Sequence, residues 1–225
     1  MKLSVLVPCF NEEGAIGDVI RRTLQTEFPC EIELVVVDDG STDGSSGIIK
    51  SFPQVKVVTH ETNKGKGAAI KTGIRNASGD LFAIQDADME YQPQSLPKLI
   101  EPILSGRADV VIGSRFLGKI EGMSWSHTLA NRLLSQVAST LSGQEITDVM
   151  TGHKAFRTSL LRNMRLESQD FDVEVELIMR AAKNGARIVE IPISYTYRKS
   201  GKAKIGWRHG ISSMILLLKL GMLNR

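Results

Sequence analysis

Asp86, Asp88 and Glu90 stand at alternate positions just after a short apolar run, Leu81–Ile84. Two carboxylates at i and i+2 in a strand-exit turn can face one hard cation. Mg2+ or Mn2+ favours such oxygen ligands and leaves coordination positions for phosphate oxygens. Glu90 extends the series as a third ligand or as a group behind the first two. The same residues also suit a capped turn before the helix that follows Pro93, so the spacing alone does not choose. Basic side chains offer the complementary chemistry. Ser114 and Arg115 follow the apolar run Val110–Ile112, and Asn63, Lys64 and Lys66 follow Val55–Thr59. Arg198 and Lys204 lie in a late stretch that contains Gly201 and Gly206. Cys9 and Cys30 lack metal-ligand spacing with any histidine, and His60, His127 and His209 are isolated. His153, in Thr-Gly-His-Lys-Ala-Phe, is the histidine that merits a test. No G-x-G-x-x-G occurs, and Asn63–Ala69 lacks the terminal G-K-[ST] of a P-loop. Dinucleotide-binding and NTPase readings therefore fail.

The elements that must position these groups are legible from periodicity. Short apolar runs at Leu3–Val7, Glu31–Val37, Val55–Thr59, Leu81–Ile84 and Val110–Ile112 read as strands. Amphipathic spacing predicts helices over Glu13–Gln25, Asp43–Ser51, Ala68–Asn76 and Gln94–Leu104. This alternation predicts an α/β fold with a mostly parallel central sheet flanked by helices. Ligands of such sheets sit beyond the carboxyl ends of the strands. Pro8 to Glu12, Asp38 and Asp39, Asp86 and Asp88, and Ser114 and Arg115 all fall there, so they should converge on one rim. The second half is less regular. Helices are expected over Ser126–Leu141, Val173–Lys183 and Trp207–Leu223, and a loop with a short strand over Thr147–Phe156. A strand over Arg187–Tyr197 contains Pro192, which suits a sheet edge.

The chain of 225 residues fits one domain over residues 1–225. Its 42% hydrophobic and 24% charged residues exclude a disordered chain, a collagen and a disulfide scaffold. Two cysteines imply a reducing compartment, so a cytoplasmic location is expected. The net charge of +3 conceals an asymmetry. Residues 1–197 carry −4, whereas residues 198–225 carry +7 and no Asp or Glu. Such a tail suits an anionic partner, whether phosphate, membrane surface or nucleic acid. Nucleic acid is the weakest of these, because only Trp207 interleaves the tail's charges there. The N-terminus does not read as a signal peptide, since Asn11, Glu12 and Glu13 follow its apolar run at once. No segment reaches the roughly 20 apolar residues that span a bilayer. The apolar stretch Ile211–Leu223 either packs on the sheet or lies in a membrane interface.

The ordered set Val7–Glu13, Val36–Asp43, Asn63–Ala69, Ser78–Asp80 and Ile-Gln-Asp-Ala-Asp resembles the inverting family 2 glycosyltransferases, which have a GT-A-type fold. Gly113–Phe116, Asp148–Gly152 and Lys199–Gly206 look like the polyprenyl-phosphate glycosyltransferases, the group that includes dolichol-phosphate mannose synthases. The resemblance covers essentially the whole chain.

The resemblance implies a set of roles. Pro8, Phe10, Glu12, Val37 and Asp39 would hold the nucleoside of a GDP-mannose or UDP-glucose type donor. Asp86, Ala87 and Asp88 would meet its diphosphate together with a divalent metal, Mg2+ or Mn2+. Glu90 stands where the family often has Gln. Arg115 matches an arginine that contacts phosphate near the sugar, with Ser114 beside it, and Arg132 is a looser match to a second. Arg198 and Lys204 would belong to a closing loop, residues 198–209, followed by an apolar helix over 210–223. The acceptor would be a polyprenyl or dolichyl phosphate, reached at the cytoplasmic face of a membrane or through a membrane-anchoring subunit. A lipid phosphate is already anionic and needs no general base. A hydroxyl acceptor of a polysaccharide, glycolipid or soluble sugar does need one. Asp148 is the first candidate for that base, or else braces its own loop.

Overall fold

The computed structural model describes residues 1–198 and 204–222. Its strands are β1 (Lys2–Cys9), β2 (Glu31–Asp38), β3 (Lys56–Thr59), β4 (Leu81–Ile84), β5 (Val110–Ser114), β6 (Ile120–Glu121), β7 (Lys154–Arg157), β8 (Ile188–Pro192) and β9 (Tyr195–Thr196). Its helices are α1 (Ile16–Gln25), α2 (Ser45–Lys50), α3 (Lys66–Asn76), α4 (Leu96–Leu104), α5 (Trp125–Ser142), α6 (Thr158–Arg162), α7 (Val173–Lys183) and α8 (Trp207–Met222).

Seven strands form one sheet in the order β3-β2-β1-β4-β7-β5-β8. All neighbours are parallel except β7, which runs antiparallel between β4 and β5. Side chains alternate across the sheet, so each strand feeds two cores. Leu3, Val5 and Val7 of β1 pack with Ile16, Ile20 and Leu99 on one face. Leu6, Val35 and Phe82 pack with Ile70, Leu177 and Leu217 on the other. Both faces are covered, which is why the strands read as continuous apolar runs rather than as alternating ones. Pro192 ends β8 at the sheet edge, where its missing N–H costs no ladder bond.

The five predicted first-half strands and the long helices stand within a few residues of their expected bounds. The short strand expected within Thr147–Phe156 is β7, whose antiparallel direction was not foreseen, and the short helix α6 and the two-stranded β6–β9 ribbon were not separately legible. The α8 helix begins at Trp207, inside the stretch expected as a closing loop. Residues 199–203 of that loop, and Leu223 of the expected helix, lie outside the described residues.

Candidate active site

A cleft of about 310 Å3 opens beyond the carboxyl ends of β1, β2 and β4. Local backbone geometry aims the acidic groups into it. Met89 takes a left-handed φ of 62°, a conformation that side-chain-bearing residues adopt only when their surroundings demand it. That turn places Asp88 and Glu90 side by side, and the Glu90 N–H donates to Asp88 Oδ1 at 3.0 Å. Asn11, after β1, is likewise left-handed at φ 49°. Gly65, at φ 92°, and Gly67 lie so close to the 168–170 backbone that a Cβ on either would collide with it. The Ala68 N–H then donates to the Gln169 carbonyl at 3.1 Å. The glycines of Asn-Lys-Gly-Lys-Gly therefore let the start of α3 meet the segment that leads into α7.

The cleft carboxylates are engaged by the chain's own cations. Lys66 Nζ sits 2.6 Å from Asp86 and 2.9 Å from Glu174. Arg198 bonds Asp88, and reaches Glu12 at 3.2 Å and Glu90 at 3.3 Å. Lys204 bonds the Glu12 carboxylate and the Phe10 carbonyl. Burial and the adjacent Asp88 carboxylate push the Glu90 carboxyl up to about 7. Burial is the larger cause, and the Arg198 guanidinium pulls the other way. Asp86 and Asp88 are hard oxygen donors at the mouth of the cleft, and they suit a divalent cation that completes its shell with phosphate oxygens. Among the described residues no three His, Cys, Asp or Glu side chains converge into a complete metal cage. Two carboxylates alone fit a cation that takes its remaining ligands from a bound phosphate.

The remaining predicted residues divide. Pro8, Phe10, Glu12, Asp39, Asp86, Ala87, Asp88, Glu90, Arg115, Arg198 and Lys204 all line the cleft. Asp39 is also internally occupied, accepting from the N–H groups of Lys64 and Gly65 at 3.0 and 2.8 Å and facing His60 Nδ1 at 2.6 Å. Val37 does not line the cleft, because it points into the core beneath the sheet. Ser114 is fully buried and bonded to Thr147 at 2.6 Å. Arg132 lies 5.0 Å from the centre of the Phe116 ring, outside the cleft lining, and Arg115 sits 5.8 Å from the same ring. Asp148 is fully buried, and both of its oxygens bind the Arg115 guanidinium at 2.7 Å. His153 is buried, stacked on Tyr91 and 2.8 Å from Ser95, and burial lowers its imidazole to about 4.

The profile of Glycosyl transferase family 2 matches residues 4–165. The chain belongs to that family. This glycosyltransferase is 30% identical over 214 residues to a dolichol-phosphate mannosyltransferase of Pyrococcus furiosus, covering 91% of this chain and 59% of that one. It is 32% identical over 217 residues to an undecaprenyl-phosphate mannosyltransferase of Micrococcus luteus, covering 91% and 88%. The chain thus spans less than two thirds of the Pyrococcus relative but most of the Micrococcus one. Its fold matches the glucosyl-3-phosphoglycerate synthase of Mycobacterium tuberculosis, solved with Mn2+, UDP and glucosyl-3-phosphoglycerate, with a TM-score of 0.78. That structure is 22% identical and covers 97% of this chain and 79% of its own. The transferase has the GT-A-type fold expected from its sequence.

Sequence reasoning missed Glu174, Lys154 and the placement of Lys66. Glu174 sits in the first turn of α7, where an acid reads as an ordinary partner of the helix dipole. Only its burial, with 2% exposed, sets it apart.

Proposed function

We propose that the chain moves a sugar, with inversion, from a nucleotide-diphosphate donor of the GDP-mannose or UDP-glucose type to a polyprenyl or dolichyl phosphate. The observation that carries the choice of acceptor is the state of Asp148. The carboxylate expected as general base for a hydroxyl acceptor is sealed beneath Arg115 with both oxygens engaged. A hydroxyl acceptor is left without that base, whereas an anionic phosphate needs none. The relatives in Pyrococcus and Micrococcus, named for dolichol phosphate and undecaprenyl phosphate, support the same reading.

In this reading Pro8, Phe10, Glu12 and Asp39 receive the nucleoside, with Val37 and Ala87 shaping the strand ends around it. Asp86 and Asp88 hold Mg2+ or Mn2+, with Glu90 behind them. When bound, the cation neutralises charge on the departing diphosphate. Arg198 and Lys204 leave their carboxylates and meet the diphosphate, where preorganised cations stabilise the growing charge. Arg115, held rigid by Asp148, orients the acceptor phosphate, and Arg132 guides it from beyond Phe116.

The acceptor's lipid tail suits the face formed by α5 and α8. Neither helix contains an Asp or Glu. Trp125, Leu129 and Leu133 form one exposed stripe, and Trp207, Ile211, Ile215, Leu218 and Met222 form another. No described helix is long and apolar enough to cross a membrane. An interfacial attachment at a cytoplasmic membrane face fits these stripes, with Arg208 and Lys219 facing lipid phosphates.

Incubation with Mn2+ or Mg2+, a panel of GDP- and UDP-sugars and a polyprenyl phosphate tests the proposal. The expected result is one glycolipid detected by mass spectrometry. No product with any donor, from folded protein, overturns it.

A further inference from the structure

Along one wall of the cleft runs a closed ring of contacts in which only Asp86 has a role above. Asp86 Oδ1 meets Lys66 Nζ at 2.6 Å, and Lys66 meets Glu174 at 2.9 Å. Glu174 meets Lys154 Nζ at 2.5 Å, and Lys154 also donates to the Thr151 carbonyl. The ring returns to its start through backbone. Gly152, next to Thr151, lies against the Asp86 carboxylate so closely that a Cβ there would collide with it.

Four elements contribute: the end of β4, the first residue of α3, the first turn of α7 and the first residue of β7. Lys154 is fully buried and stands opposite Ile84 in the β4–β7 register, two residues before Asp86. Two ammonium groups and two carboxylates make the ring neutral. Its burial is not explained by stability. Desolvating such pairs costs several kcal/mol per ion, and well-packed apolar side chains do as well or better. What the ring supplies is geometry. It fixes Asp86 from two sides, through the Lys66 ammonium and through the Thr151-Gly152 backbone, and the Glu174–Lys154 pair governs both.

We propose that Glu174 and Lys154 are positioning residues that set the Asp86 carboxylate for the metal–diphosphate of the donor. This rests on the donor reading given above. Neither side chain touches the donor in this scheme. Both act through Lys66 and the Thr151-Gly152 turn.

The test compares wild type, Glu174→Gln, Lys154→Met and the double variant. Calorimetry reads the affinity for UDP and GDP with Mn2+. Hydrogen exchange of residues 84–88 and 150–153 reads the ring with no ligand present. Outer-shell partners of metal ligands typically contribute 10- to 100-fold in affinity. Each single variant is therefore expected to lose at least about tenfold in nucleotide affinity and to exchange faster at both segments. The double variant removes both charges, so its unfolding midpoint returns toward wild type while affinity and exchange stay impaired. A purely structural pair behaves otherwise: affinity and exchange recover together with stability in the double variant, and that result overturns the proposal. Wild-type exchange in the single variants also overturns it. Failure of the wild-type chain to bind either nucleotide refutes the donor reading instead, and the exchange data still decide the ring.

Discussion

The two ends of the central sheet treat their carboxylates in opposite ways. At the amino ends of the strands, Glu33 accepts from Ser4, from the Ser78 hydroxyl and from the Ser78 and Gly79 N–H groups. These bonds overcome its partial burial and hold its carboxyl down at about 2. Asp109 is held below the usual carboxylate range, chiefly by hydrogen bonds from Arg187, with Arg157 adding to them. At the carboxyl ends Glu90 is pushed up to about 7. One rim satisfies its charges with short local bonds and is finished. The other gathers its carboxylates in a partly buried cleft, and the cations that meet them there, Arg198 and Lys204, come from late in the chain. The contrast agrees with the second rim as the proposed donor site.

The largest expected effect breaks the second rim directly. Asp88→Ala removes a carboxylate from the proposed metal–diphosphate site, and transfer should fall about a thousandfold, the scale for losing a group that organises transition-state charge. Radiolabelled sugar transfer measures it. Because Arg198 keeps Glu12 and Glu90 as partners when Asp88 is lost, the unfolding midpoint should hardly move. A large stability loss with intact transfer would assign Asp88 to the structural class instead.

Asp148→Ala crosses the comparison, since Asp148 lies at the functional rim but is built like the structural one. It strands the Arg115 guanidinium, which is only 6% exposed. Breaking a buried pair from one side costs about 3–5 kcal/mol. Urea unfolding should show that loss. An unchanged midpoint would mean that Arg115 is free to turn toward solvent.

How much of this contrast was legible follows from where each residue sits. Asp86, Asp88, Arg115 and Pro8 to Glu12 stand directly after apolar runs, so parallel strands were enough to place them together. Val37 and Ser114 also stand at strand ends, but their side chains turn inward, and spacing does not report which way a side chain turns. A short strand was expected where β7 lies, but its antiparallel direction was hidden, because the strand's place in the sheet rests on the burial of its opening Lys154 against Glu174, on a distant helix. The same holds for Lys66. Its motif was noticed for its glycines, whereas its meaning lies in a carboxylate 108 residues away, on α7.

Arg198→Ala sharpens the comparison at a middle scale. Its guanidinium and its partners Asp88, Glu12 and Glu90 are largely buried, so its loss leaves three carboxylates without that cation and should lower the urea midpoint as well. Donor affinity should fall by about tenfold, the worth of one charge-assisted phosphate contact. Calorimetry with Mn2+ and the nucleotide measures it. An affinity that rises instead would make Arg198 a plug of the empty cleft and not a donor contact.

The smallest effect belongs to the finished rim. Glu33 has its carboxyl lowered in the folded chain relative to its ordinary value of 4.5. A depressed carboxyl contributes stability that is complete above the unfolded value. That contribution is lost as pH falls from about 4.5 toward about 2, because the unfolded chain takes up the proton first. Glu33→Gln keeps the shape and removes the titration. Its stability should therefore sit below wild type near neutral pH, by at most about 1 kcal/mol for bonds so near the surface. The two chains should draw together as the solution is acidified through that window. Transfer activity should not change, since the site lies at the other end of the strands. Urea midpoints between pH 7 and pH 3 measure the difference. A gap that widens in acid would reverse the sign assigned to Glu33. A loss of transfer would show that the two rims are coupled through β2, and the separation drawn between them would no longer hold.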